Sequence, residues 1–83
     1  MHPTAWDFQN QLIAIINAAR HSGKPYVDVE SGRLHTQVGE DRNLDLGMPV
    51  CCAVMRKMMR AGDSIVTEPQ GGEDATLMIR YRV

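Results

Sequence analysis

Thr76-Leu77-Met78-Ile79-Arg80-Tyr81-Arg82-Val83 alternates without interruption. Leu77, Ile79, Tyr81 and Val83 fall on one side, and Thr76, Met78, Arg80 and Arg82 on the other. That is the period-two pattern of a strand with one buried face. Immediately upstream, Gln70-Gly71-Gly72-Glu73-Asp74 carries turn chemistry. Before it, Ile65-Val66-Thr67 is β-rich and stops at Pro69. Asp63–Val83 is therefore expected to be a hairpin. A one-sided hairpin needs a layer on its apolar face, and the rest of the chain must supply that layer.

Working back from the hairpin, Met48-Pro49 is expected to open a helix that runs over 49–61 and stops at Gly62. Proline is tolerated at the first helical position, where its missing N–H would be unpaired anyway. Val50, Cys51, Val54, Met55 and Met58 form the apolar stripe, and Arg56, Lys57 and Arg60 lie outside it. Glu40–Gly47 is polar and reads as a loop. Ser31–Val38 reads as a short helix with Ser31 as N-cap, Leu34 and Val38 on one face and Gly39 as the stop. A strand continuing from Val29 is the alternative there, because Arg33–Val38 also half-alternates. Tyr26–Glu30 is a short strand, with Val27 and Val29 on one side and Asp28 and Glu30 on the other. At the front, Phe8, Leu12, Ile15, Ile16 and Ala19 make one helical stripe over Ala5–Ser22. Thr4 and Asp7 resemble a capping box, and Gly23 followed by Pro25 ends the helix.

The chain has 83 residues, 43% hydrophobic and 23% charged, with nine Lys and Arg against ten Asp and Glu and a formal net charge of -1. Such length and composition predict one globular α+β domain over 1–83 and exclude a disordered tail. Near-neutrality argues against a surface that grips nucleic acid on all sides. The balance is uneven, however. Residues 1–55 carry four basic against six acidic side chains, whereas residues 56–83 carry five against four.

The order helix, short strand, helix, helix, hairpin resembles the winged-helix variant of the helix-turn-helix family over nearly the whole chain. Gly47-Met48-Pro49-Val50-Cys51-Cys52, with the closing Thr76-Leu77-Met78-Ile79-Arg80-Tyr81, also looks like a pattern of small uncharacterised bacterial proteins. The resemblance implies a small antiparallel sheet, a recognition helix at 49–61 and a wing at Gln70–Asp74. It further implies a DNA-binding domain of regulatory or mobile-element type. Arg56, Lys57 and Arg60 would then face the duplex together with Ala53, and Arg80 and Arg82 would add phosphate contacts from the last strand.

Two departures weaken that implication, and the acidic wing, the net charge of -1 and the methionines Met58 and Met59 motivate a second expectation. The connection Gly39–Met48 is longer than a helix-turn-helix turn, and the wing is acidic at Glu73 and Asp74. The alternative is a protein-interaction module on the same fold, self-associating about a two-fold axis or binding another protein. Trp6, beside the first helix's stripe, and Met59 are its candidate interface residues.

No catalytic role is expected. There is no nucleophile elbow, phosphate loop or dinucleotide turn. His35 reads as a polar residue on a short surface helix. Cys51 and Cys52 are adjacent and so poorly placed for a mutual disulfide, and they read as small apolar groups, one buried and one at its margin. Cys52 also reads as lying just inside a helix start, where a thiolate is favoured. No metal-ligand spacing or cofactor motif occurs, so neither a metal nor a cofactor is expected. Met1–Asn10 lacks the pattern of a signal peptide and no apolar run approaches ~20 residues. The expected location is therefore cytoplasmic, with no membrane partner.

Overall fold

The computed structural model describes residues 4–39, 44–69 and 75–83. Its element order is α1 (Ala5–His21), β1 (Tyr26–Glu30), α2 (Ser31–Val38), α3 (Leu44–Lys57), β2 (Ser64–Thr67) and β3 (Met78–Arg82). The strands form one antiparallel sheet in the order β1-β3-β2. This is a small α+β fold. Among the described residues no helix is long and apolar enough to cross a membrane.

The alternation of the last strand is realised. Leu77, Ile79 and Tyr81 are buried, and they meet Val29 of β1 and the helices in one core. β3 takes the central place because β1 pairs along it from Tyr26↔Arg82 to Glu30↔Met78 while β2 pairs on its other side. The register shifts between Ile65 and Thr67. β2 is exposed along its whole length, so Ile65 stays open although it pairs with the buried Ile79. The expected turn at Gln70–Asp74 lies outside the described residues.

The capping box at the start of α1 is present. Thr4 Oγ1 accepts from the Asp7 amide, and the Thr4 amide donates to Asp7 Oδ2 at 2.8 Å. The helix ends on Gly23 at φ +76°, a conformation suited to glycine. Phe8, Leu12 and Ala19 are buried, with Ile15 and Ile16 packed beside them.

α2 is a helix, so the strand alternative for this stretch does not hold. Its start differs from expectation. Glu30 is the N-cap, and Ser31 is the first helical residue, fully buried. No serine cap is needed, because the carbonyls of Leu77 and Ala75 accept from the Ser31 and Gly32 amides at 2.8 and 2.9 Å. The chain thus passes from strand to helix without a turn. Gly39 closes α2 with extended backbone rather than in the left-handed region.

α3 begins at Leu44, inside the stretch expected to be a loop, and it stops at Lys57, short of Ala61. Pro49 lies within the helix, where it leaves the Asp45 carbonyl without its usual partner. Gly47 is buried against His35, and a Cβ at position 47 would fall inside contact distance of the ring. The earlier start brings α3 against α2. Met48, Cys51, Cys52, Val54 and Met55 form its buried face, whereas Val50, expected in the stripe, is 37% exposed. Both cysteines are fully buried, and Cys52 lies mid-helix rather than near a helix start. His35 is also buried, not a surface residue. At the far end, the Tyr81 hydroxyl donates to the Met55 carbonyl at 2.8 Å and so satisfies one open group of the helix terminus from the sheet.

Candidate nucleic-acid interface

The five basic residues singled out from sequence fall into different circumstances. Arg56 sits in the last turn of α3, half-buried, with its guanidinium doubly hydrogen-bonded to Glu68 beyond β2. That pairing holds the Glu68 carboxyl below its ordinary range, because the charged form accepts the guanidinium's hydrogen bonds. Arg80, on the outer face of β3, forks onto Asp28 at 2.8 and 3.1 Å. Its guanidinium carbon also lies 4.2 Å from the centre of the Tyr26 ring. The hydrogen bond from Arg80 likewise lowers the Asp28 carboxyl and raises the Arg80 guanidinium. Both arginines are therefore engaged with carboxylates of this chain.

Lys57, Arg60 and Arg82 are exposed and have no carboxylate partner among the described residues. Lys57 is the last residue of α3. Arg60 lies beyond the helix, in the turn that leads to β2. Arg82 ends β3, with its side chain over Gly62. Asp63 ties the last two together through backbone. Its Oδ2 accepts from the Arg60 amide and its Oδ1 from the Arg82 amide, each at 2.8 Å.

The outer side of α3 bears Pro49, Val50, Ala53 and Lys57, all exposed. With Ala5 and Val54 these residues line a shallow groove that is apolar apart from Lys57. Trp6, one residue after Ala5, is 67% exposed. Met59 is partly buried, packed against the core.

The buried polar groups belong to the interior. Burial, with Cys52 adjacent, pushes the Cys51 thiol up to about 12, and its Sγ lies 3.5 Å from the Ser31 carbonyl oxygen. The thiol is therefore protonated at neutral pH and a poor nucleophile. His35 is stacked obliquely on Phe8 at 5.5 Å between ring centres. Neither of its nitrogens has a hydrogen-bond partner among the described residues. No three His, Cys, Asp or Glu side chains converge among the described residues.

Sequence reasoning missed Asp63, Glu68 and Asp28 as the groups that organise or occupy the arginines. Asp28 carried a signal in hindsight, since it lies on the polar side of the strand destined to pair with β3. Comparison with protein-family models, with curated proteins and with solved structures gave no match.

Proposed function

We propose that this chain is a winged-helix domain that contacts double-stranded DNA through the C-terminal end of α3 and the adjoining end of β3. The observation that carries the reading is the arrangement α1-β1-α2-α3-β2-β3 with sheet order β1-β3-β2, in which Pro49, Val50, Ala53 and Lys57 on the outer side of α3 are exposed among the described residues. A winged-helix domain presents its third helix in this way. Lys57, Arg60 and Arg82 are the contact residues in this reading, while Arg56 and Arg80 serve the fold.

The test is fluorescence anisotropy with a short labelled duplex over a range of salt. Three phosphate contacts give a log–log salt slope of about -2.7. Replacing Lys57, Arg60 and Arg82 together by Gln flattens the slope and removes most of the affinity. Replacing Arg80 by Gln leaves the slope nearly unchanged. Equal binding by wild type and the triple variant overturns the proposal.

A second reading is a protein partner on the same helix face. The apolar groove of Pro49, Val50 and Ala53, beside the exposed Trp6, favours it. Here Trp6→Ala changes the sedimentation behaviour or the capture of a partner and leaves DNA affinity unaltered.

A further inference from the structure

On the other flank of α3's end, a cleft of about 440 Å3 opens between α1, the turn into β2 and the end of β3. Three arginines from three separate parts of the chain line it: Arg20, Arg60 and Arg82. One carboxylate, Asp63, is also present, but both of its oxygens accept backbone N–H groups. Arg20 donates one hydrogen bond to Asn17 at 3.1 Å, and among the described residues none of the three guanidiniums is paired with an acid. The cleft thus holds a net charge of +2 with guanidinium donors to spare. Its wall is apolar, made by Ile13, Ile16 and Met58. Ile13 is 37% exposed, an apolar side chain left open beside cations.

From this juxtaposition we infer that the cleft binds a small phosphate monoester carrying an apolar or aromatic body. A monoester is close to dianionic at neutral pH, which matches the local +2. Guanidinium groups offer planar paired donors suited to phosphate oxygens. The apolar wall receives the body, and the volume lies within the usual range of small-ligand sites. The inference does not need the duplex contact. Arg20 belongs to the cleft alone.

The experiment is an NMR titration of the 15N-labelled chain with phenyl phosphate, and in parallel with inorganic phosphate and phenol. Phenyl phosphate is expected to shift the Arg20, Arg60 and Arg82 side-chain signals and the Ile13 and Ile16 amides, with a dissociation constant on the order of 1 mM. Inorganic phosphate alone binds more weakly, and phenol alone gives no saturable shift. Arg20→Gln, an exposed substitution, weakens phenyl phosphate about tenfold and leaves duplex affinity in place. Arg82→Gln weakens both ligands. The absence of a saturable shift at these signals, or the same phenyl phosphate affinity in Arg20→Gln, overturns the inference. If duplex binding fails while phenyl phosphate still saturates these signals, the cleft stands and the DNA reading falls.

Discussion

Gly47→Ala isolates the contact that sets α3 against α2. In an open helix this substitution stabilises by about 1 kcal/mol, because alanine is the better helix former. Position 47 is not open. A Cβ there would fall inside contact distance of His35 Nε2 and 3.0 Å from its Cδ2, where ordinary contact begins at 3.4 Å. The ring is 1% exposed and stacked on the fully buried Phe8, so it has no free volume to retreat into. Overpacking of this kind costs about 1–3 kcal/mol. Set against the propensity gain, the net change is a loss of up to about 2 kcal/mol. In a His35→Ala background the clash is gone and the new methyl group partly fills the hole, so Gly47→Ala should stabilise by about 1 kcal/mol. The sign change makes the double-mutant cycle decisive, with a coupling energy of about 1–3 kcal/mol. Urea unfolding followed by far-UV circular dichroism reads all four proteins. Trp6 is too exposed to report the transition well. The same effect of Gly47→Ala in both backgrounds would show that His35 does not crowd position 47.

Further predictions concern other parts of the fold. The Asp28 carboxyl, lowered by Arg80, contributes stability that is complete above the unfolded carboxylate range of about 3.9 and is lost as pH falls through its depressed folded value. A 13C titration should place Asp28 below that range, and Arg80→Gln should return it there. Tyr81→Phe removes the donor to the Met55 carbonyl and should cost about 1–2 kcal/mol in urea unfolding with little change in m-value. Cys51 should resist iodoacetamide in the native chain at pH 8 and react at the rate at which the chain opens. Its raised thiol also contributes stability that is complete below the unfolded value of about 8.5 and is lost as pH rises toward about 12. Asp63→Asn should separate two roles of one side chain. Stability falls by about 1–2 kcal/mol because only one amide oxygen remains to serve two backbone donors, while phenyl phosphate affinity rises as the cleft loses the negative charge of Asp63.

Features with a local cause were legible from the sequence. The Thr4–Asp7 box, the glycine stop at position 23 and the alternation of Leu77, Ile79 and Tyr81 each act within a few residues. The start of α3 was not, because Asp41, Arg42, Asn43 and Asp45 make a loop-like composition and Pro49 looks like a first helical residue. From Leu44 onward the helix packs against α2, with Gly47 set against His35 from the other side of the connection. The role of Ser31 as a buried first helical residue is hidden from the sequence for a similar reason. The partners of its amide and that of Gly32 lie more than 40 residues away in the approach to β3. The arginines show the same limit at the candidate site. Arg56 and Glu68 are 12 residues apart, and Arg80 and Asp28 are 52 apart. A basic cluster in one dimension becomes, among the described residues, two ion pairs and three cations without a carboxylate partner.

Those pairings also bear on the proposed DNA contact. Lys57, Arg60 and Arg82, without a carboxylate partner among the described residues, gather at the C-terminal end of α3, where Lys57 also complements the negative end of the helix dipole. A recognition helix that reads bases does so mainly with residues near its N-terminus. Among the α3 residues whose side chains are described, those exposed on its outer side ahead of Lys57 are Pro49, Val50 and Ala53, none of which has a side-chain hydrogen-bond donor or acceptor. Their only means of direct readout is apolar contact with a thymine methyl group. Lys57, Arg60 and Arg82 are suited to phosphates, which position a protein without specifying sequence. In the proposed duplex contact, Lys57, Arg60 and Arg82 would give a salt slope of about -2.7 and would by themselves carry no sequence information.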